Sequence, residues 1–252
     1  MLYIVGTPIG NLKDISFRAV EILKQADLIA CEDTRHARIL LTEYGIHAPL
    51  TSFFQHNRLT KAEFLLEKLR SGLSVALISD AGMPGILDPG YNIINLAIEN
   101  NIPLSVIPGP TALATALVAS GKPAHRFLFE GFLPNRRQAR KKRLAELREF
   151  DFTVVCYESC HRIRESLEDI SEIFGDRRIS CARELTKKFE EVKHGSAAEI
   201  AAADEDLHAD ELGFLEALRA ALRISPLEGR QLVEVARTGQ LAPYLDDRLL
   251  RI

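Results

Sequence analysis

Short apolar runs alternate with amphipathic helical stretches through the first half of the chain. The runs share a length of four or five residues and a largely hydrophobic character: 2–5, 28–31, 50–54, 75–78 and 104–107. Such runs are typical of strands buried on both faces of a sheet. Between them, apolar residues recur at helical spacing, as at Ile15, Ala19 and Leu23. The alternation predicts an α/β fold with a mainly parallel sheet in its first part.

Polar residues after these runs predict where the helices begin. Asp14 and Thr34 each precede a helical pattern, and Thr60 with Glu63 has the spacing of a capping box. Asp88 followed by Pro89 reads as an N-cap with proline in the first helical position.

The stretch VALISDAGMPGILDPG, residues 75–90, is the strongest single signal for function. A buried strand runs into a long loop that holds an acid, Gly82 and Gly85 before the next helix. Ordinary strand-to-helix turns need only about two to six residues, whereas binding loops are longer. Both interpretations stay open, and the length and glycine content favour a binding loop.

Five strand ends carry polar or glycine-rich loops, with the sequences GTPIGN, EDTR, QHN, SDAGMPG and PGPT. Ligands of open parallel sheets bind beyond the carboxyl ends of the strands, so these loops predict one crevice. The chain lacks the GxGxxG fingerprint, a P-loop lysine and a GxSxG serine elbow. A nucleoside-type cofactor without pyrophosphate fits this set of loops best.

Composition places the chain among globular proteins. It has 252 residues, 46% apolar and 27% charged, with a net charge of −3. No apolar run approaches a membrane span and the first residues lack a basic leader, so we expect a cytoplasmic protein without a membrane role. The four cysteines form no CxxC pair and are expected to be reduced thiols. The histidines and cysteines show no metal-ligand spacing, so no metal is predicted.

A second domain is predicted to begin near residue 125, after the breaker Gly121-Lys122-Pro123. The predicted domains are therefore 1–121 and 125–252. Strands are predicted at 127–129, 152–156 and 179–182, with helices over about 136–148 and 161–173. A basic run lies on the first of these helices: Arg136, Arg137, Arg140, Lys141, Lys142, Arg143 and Arg148. It is either a solvated helix face or a patch that neutralises RNA phosphates.

The segments GTPIGNLKD, CEDTR, SDAGMPGILDPG, PGPTALATAL, FEGFLP and YESCHR, in this order, closely resemble the tetrapyrrole-methylase superfamily of class III methyltransferases. Within it they resemble the bacterial enzymes that methylate a cytidine ribose 2′-oxygen in small-subunit ribosomal RNA. The resemblance covers roughly residues 2–195. It implies two α/β domains, the first sheet mainly parallel and the second mixed, with S-adenosylmethionine bound between them. It also implies a homodimer that acts on ribosomal RNA or the ribosomal subunit.

The resemblance assigns cofactor contacts to the strand-end loops and to two residues of the second domain. Carried over by position, these are Thr7, Pro8, Ile9, Gly10, Asp80, Ala81, Gly82, Pro84, Thr111, Ala112, Tyr157 and Ala182. For Tyr157, simple core packing is the alternative role.

Methyl transfer to a ribose hydroxyl needs a proton acceptor beside the reacting oxygen. Glu32 and Asp33 are the leading candidates, with Arg35 to hold a phosphate, although Asp33 would also suit a helix cap. Glu158 and Glu184 are second choices for the acceptor. The predicted substrate contacts are the crevice residues and basic-run cations His56, Asn57, Arg136, Arg137, Arg140 and Lys141.

The chain departs from the related enzymes after about residue 195. They usually carry Gly-Glu and then an apolar strand, whereas residues 195–222 here are rich in Ala, Glu and Leu and read as helix. Three functions therefore remain open. The first is an RNA ribose methyltransferase, the second a methyltransferase acting on a small tetrapyrrole, and the third a non-catalytic binding protein that retains the fold.

Overall fold

The computed structural model describes residues 1–53 and 58–203. The predicted substrate residues His56 and Asn57 lie outside the described residues. So does most of the predicted helical tail, of which residues 197–203 are described and are helical.

The first sheet has five parallel strands, which confirms the predicted fold class. The strands are β1 Leu2–Val5, β2 Leu28–Cys31, β3 Leu50–Ser52, β4 Val75–Leu77 and β5 Leu104–Ile107. Their order across the sheet is β3-β2-β4-β1-β5. Leu2 of β1 stands opposite Val75 on one side and Leu104 on the other, so β1 is paired along both edges.

Helices cover both faces of this sheet, two on each. Apolar residues of α1 (Phe17–Gln25) and α2 (Thr34–Glu43) form a buried cluster with one face. Residues of α3 (Arg58–Arg70) and α4 (Tyr91–Glu99) form a second cluster with the other face. Right-handed crossovers explain this division, because the chain moves one way along the sheet from β1 to β3 and returns from β3 to β5.

The reversal makes β4 the switch point of the sheet. The chain leaves β1 and β2 toward one face and leaves β4, which lies between them, toward the other. Loops that diverge in this way leave a crevice at the carboxyl ends of the strands. The long loop that follows β4 therefore stands where an open α/β sheet binds its ligand.

The predicted helix caps were wrong at four positions, and Thr60 is one of them because α3 already begins at Arg58. Asp14 ends a short 3₁₀ helix (Leu12–Asp14), and the Ser16 side chain caps α1 instead. Thr34 is the first residue of α2, which Asp33 caps. α4 is capped by Gly90 and not by Asp88, so Asp88 stays in the loop. Several neighbouring polar residues suit a cap equally well, and the strand end that precedes the helix decides which one is used.

The second half begins with α5 (Ala112–Ala119) and a parallel strand pair, β6 (Phe127–Phe132) and β7 (Thr153–Tyr157), joined through α6 (Arg137–Arg148). α7 (Ile163–Phe174) follows, and then β8 (Ile179–Arg183) pairs with β9 (Glu191–Gly195). The elements predicted here are confirmed with ends that differ by at most three residues, while β9 was not predicted.

Contacts divide the chain into two compact units. Residues 1–160 with 180–194 form one unit, and residues 161–179 belong with 195–203 of the described chain. The domain boundary expected between 121 and 125 stays a prediction. Across the described ranges, no helix combines the length and the hydropathy that a membrane span requires.

The ends of β1 and β5 approach each other through two glycines. A Cβ added at Gly109 would lie 2.8 Å from the Cα of Gly6, closer than real Cβ contacts allow. A Cβ at Gly6 would likewise lie 2.6 Å from the Met83 sulfur. Glycine is therefore required at both positions because of the close backbone approach.

We predict that Gly109→Ala lowers the free energy of unfolding by about 1–3 kcal/mol, since backbone has to move to admit the methyl group. Gly10→Ala is the matched control, because its Cβ would meet the flexible side chain of Lys187 first. Thermal unfolding followed by circular dichroism compares the two. Equal midpoints for both variants would contradict the proposed backbone contact.

Candidate active site

The loops after β1 and β4 are tied together by their backbones. We call residues 6–11 the β1 loop and residues 79–90 the β4 loop. Thr7 N donates to Gly82 O at 2.9 Å, and Gly82 N donates to Thr7 O at 3.1 Å. The buried Thr7 hydroxyl can donate a hydrogen bond to either of two carbonyl oxygens, Ser79 O at 3.1 Å and Gly82 O at 3.3 Å. This clamp fixes the two loops at the switch point of the sheet.

The loop after β5, residues 108–111, packs against the β4 loop at Gly82. A Cβ on Gly82 would lie 3.5 Å from both Pro110 O and the Ile9 side chain. Gly82 has φ +84°, which a residue with a side chain adopts only under strain. Thr111 caps α5 by accepting a hydrogen bond from Ala114 N at 3.0 Å. Three of the five predicted loops therefore meet around Gly82.

The predicted cofactor residues differ in their exposure. The buried members are Thr7, Pro8, Gly82 and Pro84; Ile9, Thr111 and Ala112 are half-buried; Gly10, Asp80 and Ala81 are exposed. Ala182 lies half-buried in β8, and its cofactor contact stays a prediction.

Tyr157 ends β7 and lies close to the same loops. Its ring packs edge-on against Phe129 at 5.0 Å and Phe132 at 5.8 Å between centroids. Partial burial and the charge of Asp88 raise the pKa of the Tyr157 hydroxyl, whereas a hydrogen bond from the Leu113 backbone opposes the rise. The tyrosine thus combines core packing with proximity to the start of α5 and to the β4 loop.

Three carboxylates, from Glu32, Asp80 and Asp88, form an acidic cluster at the ends of β2 and β4. Glu32 Oε1 accepts a hydrogen bond from Asp80 N at 3.4 Å. Burial, followed by the charges of Asp88 and Asp80, raises the pKa of Glu32 to about 7. Burial likewise raises the pKa of Asp88, which lines a cavity of about 120 Å³ together with Phe53 and Tyr91. No group of three potential ligands in the described ranges is arranged to hold a metal ion.

Asp33 has a different environment from its neighbour Glu32. Its carboxylate accepts hydrogen bonds from Arg35 N at 2.8 Å, Arg35 Nε at 3.1 Å and Arg35 Nη2 at 2.7 Å. The Arg35 guanidinium therefore holds the pKa of Asp33 far below its usual range. Asp33 acts as the cap of α2 and as a bidentate support for Arg35, whose side chain is 87% exposed.

Two residues of this region were missed from the sequence. His36, in the first turn of α2, has its Nδ1 3.8 Å from Asp80 Oδ2. The sequence predicts Asp88 as a helix cap, whereas its carboxylate belongs to the acidic cluster. His36 belongs to no sequence motif. Its position two residues after Thr34, in the first turn of the helix that follows the β2 strand end, is the signal that could have identified it. The second-choice acids have local partners, since Glu158 accepts from Ser159 N and Glu184 pairs with Lys187.

The basic run on α6 divides between the surface and the interior. Arg136 and Arg137 are exposed, and Lys141 is half-buried. Arg140 is fully buried, and its guanidinium lies 3.5 Å from Asn135 O. Arg143 is held by Glu130 at 2.7 Å and by Glu146 at 2.8 Å. Exposed members of the run therefore alternate with buried or ion-paired ones along α6, and the run is not one solvated face; the exposed members are Arg136, Arg137, Lys142 and Arg148.

The residues at the strand ends suit a compact polar ligand. The glycines let the backbones of the three loops approach closely, and nucleoside cofactors are commonly bound by the backbone groups of such loops. The Thr186 hydroxyl is buried without a hydrogen-bond partner in the described part of the chain. It lies 3.0 Å from the position that a Gly10 Cβ would occupy, so an unused polar atom borders the β1 loop.

Comparison with known proteins matches residues 1–201 to the family model of tetrapyrrole (corrin/porphyrin) methylases. Ribosomal RNA small subunit methyltransferase I of Halalkalibacterium halodurans is 46% identical over 198 residues, covering 79% of this chain and 68% of the relative. The protein of the same name from Haemophilus influenzae is 50% identical over 193 residues, covering 76% and 68%. That of Escherichia coli O157:H7 is 43% identical over 244 residues, covering 88% and 85%.

Solved structures share the fold at low sequence identity. A diphthine synthase superposes with a TM-score of 0.65 at 18% identity, covering 80% of this chain and 84% of the other. A cobalt precorrin-4 methyltransferase superposes with a TM-score of 0.63 at 15% identity, covering 82% and 90%.

We predict that Glu32→Gln stabilises the protein as the pH rises. The pKa of Glu32 is about 7 in the folded protein and near 4.5 in the unfolded chain. The stability that the protonated carboxyl contributes is therefore complete below pH 4.5 and is lost as the pH rises to 7. The unfolding temperature of the variant should therefore rise relative to that of the wild type between pH 4.5 and pH 7. Above pH 7 the difference between the two proteins should stay constant. Thermal unfolding across the pH range measures this gain, with Glu21→Gln on α1 as control. A difference between Glu32→Gln and wild type that does not change with pH would disprove the effect.

Proposed function

Because this chain belongs to the tetrapyrrole methylase family, we propose that it methylates a cytidine ribose 2′-oxygen in small-subunit ribosomal RNA. The observation that carries the proposal is the 43–50% identity, over most of the chain, to proteins named ribosomal RNA small subunit methyltransferase I. The chain is a methyltransferase, and its methyl donor is S-adenosylmethionine. Bound in the crevice, this cofactor supplies an electrophilic methyl group on a sulfonium centre.

The clamp between the β1 and β4 loops is the proposed cofactor seat. Thr7 and Gly82 would shape this seat, since their own backbone groups bond to each other. Neighbouring backbone groups as far as Thr111 would bind and orient the cofactor, and Tyr157 with Ala182 would border its adenine. The remaining proposed contacts are Pro8, Ile9, Gly10, Asp80, Ala81, Pro84 and Ala112. Two properties support this seat, namely the absence of side chains at the glycine contacts and the unused Thr186 hydroxyl beside Gly10.

Glu32 is the proposed proton acceptor for the ribose hydroxyl. A general base works best with a pKa near the working pH, and burial brings Glu32 to about 7. Asp33 is the weaker candidate, since its oxygens are occupied by Arg35 and its pKa is lowered. Asp33 would instead position Arg35, and the exposed guanidinium would bind an RNA phosphate. In-line methyl transfer depends on such positioning of acceptor and donor.

Arg136, Arg137 and Lys141 are the proposed phosphate contacts in the first turns of α6 and at its cap. His56 and Asn57, which lie outside the described residues, stay proposed substrate contacts from the sequence. Exposure supports the two arginines, whereas the buried Arg140 would support the helix itself. The resemblance in sequence further supports a homodimer that works on ribosomal RNA or the ribosomal subunit in the cytoplasm. Sedimentation of the purified protein tests the dimer.

We predict that the protein transfers labelled methyl groups from S-adenosylmethionine to small ribosomal subunits or to their naked RNA. Nuclease digestion should recover the label as 2′-O-methylcytidine. A base-methylated nucleoside would refute the proposed acceptor oxygen. Transfer to a tetrapyrrole, or cofactor binding without any transfer, would instead favour the small-molecule or the non-catalytic alternative.

We predict that three variants separate the roles at the end of β2. Glu32→Gln should lower kcat by about 10²–10⁴-fold, because it removes the base. Arg35→Ala removes the guanidinium and Asp33→Asn removes the carboxylate that holds it. Both should therefore raise KM for RNA, while the Kd for S-adenosylmethionine stays unchanged. Arg70→Ala, at the end of α3, is the control. A larger loss of kcat in Asp33→Asn than in Glu32→Gln would reverse the assignment.

A further inference from the structure

The connection between β8 and β9, residues 184–190 (ELTKKFE), lies against the β1 loop. A Cβ on Gly10 would meet the Lys187 side chain at 2.5 Å and the Thr186 hydroxyl at 3.0 Å. We call this connection the β8–β9 loop. It therefore borders the crevice where the cofactor seat is proposed, although no motif from the sequence pointed to it.

The β8–β9 loop is stabilised by hydrogen bonds among its own residues. Lys187 N donates to Glu184 O at 2.9 Å, and Glu190 N donates to Lys187 O at 3.2 Å. The Glu190 carboxylate accepts from Thr186 N, and Lys187 Nζ pairs with Glu184 at 2.9 Å. Glu184 and Thr186 have φ values of +50° and +67°, a region costly for residues other than glycine. Such backbone strain persists where surrounding contacts impose it, often at functional sites.

The fixed backbone presents one aromatic ring to solvent. The Phe189 side chain is 73% exposed, and Lys188 Nζ lies 5.3 Å from its ring centroid. Lys188 Nζ lies over one face of this ring, and Lys187 is paired with Glu184, so one cation stands beside the exposed aromatic side chain. Proteins that bind single-stranded RNA stack unpaired bases on such rings and contact the phosphates with neighbouring cations.

We propose that Phe189 stacks on a base of the RNA substrate close to the methylated nucleotide, with Lys188 contacting the adjacent phosphate. This inference rests on the proposed function and adds the base contact that the sequence did not reveal. A single-stranded or extruded nucleotide is the substrate that can reach both the crevice and the ring. Phe189 would be a substrate-binding residue with no part in the chemical step.

The absence of tryptophan from the chain allows a direct test. Phe189→Trp introduces a single indole, whose fluorescence should be quenched when a single-stranded oligonucleotide from the small-subunit RNA is added. Ile98→Trp is the matched control, since Ile98 is 61% exposed at the end of α4 near the amino edge of the sheet. Its fluorescence should stay unchanged. Equal responses from the two variants would overturn the stacking contact.

Kinetics supply the second measurement. Phe189→Ala should raise KM for RNA by about 5–100-fold, the range expected for one lost stacking contact, while kcat and the Kd for S-adenosylmethionine stay unchanged. Phe189→Tyr should restore the wild-type KM. A rise in the Kd for the cofactor would reassign the loop to cofactor binding, and a change of sedimentation would reassign the ring to a protein contact. Either result overturns the inference.

The outcomes also separate this inference from the proposed function. If wild-type protein methylates RNA while Phe189→Ala behaves normally, only the stacking contact fails. If wild-type protein transfers no methyl group to any RNA, the proposed function fails. In that case an unquenched indole in Phe189→Trp would overturn the stacking contact as well.

Discussion

The pairing of β1 between β4 and β5 is the constraint on which the rest of this structure depends. It brings together loops that are separated by about seventy and a hundred residues in the chain, and the backbone exchange between Thr7 and Gly82 locks two of them. Since β4 sends its chain to the opposite face from β1 and β2, the same pairing opens the crevice. The glycine contact between Gly6 and Gly109 then determines how closely the third loop can approach.

Two adjacent acids at the end of β2 acquire different chemistry from their surroundings. Glu32 is partly desolvated and faces other carboxylates, so its proton is held up to neutral pH. Asp33, one residue later, is held ionised by a bidentate arginine and caps a helix. Divergent environments of this kind separate a proton acceptor from a positioning group. Ionised Glu32 therefore destabilises the folded protein at high pH, and such a loss of stability is common at functional sites.

Much of this architecture is readable from sequence because its signals are local. Unbroken apolar runs identify strands such as 75–78, and glycine-rich strand ends identify the loops. Features that arise from tertiary packing were not predictable in the same way. The burial of Arg140 within a basic run, the choice of Gly90 over Asp88 as a cap and the position of the β8–β9 loop all depend on distant contacts. The roles assigned to single site residues stay predictions.

A crystal structure of the full chain with S-adenosylhomocysteine tests the central claim most directly. We expect density for the adenosyl group at the carboxyl edge of the sheet, in contact with the Thr7–Gly82 clamp and the start of α5. Density at the amino edge, or at a site that touches neither the β1 loop nor the β4 loop, would contradict the proposed cofactor seat.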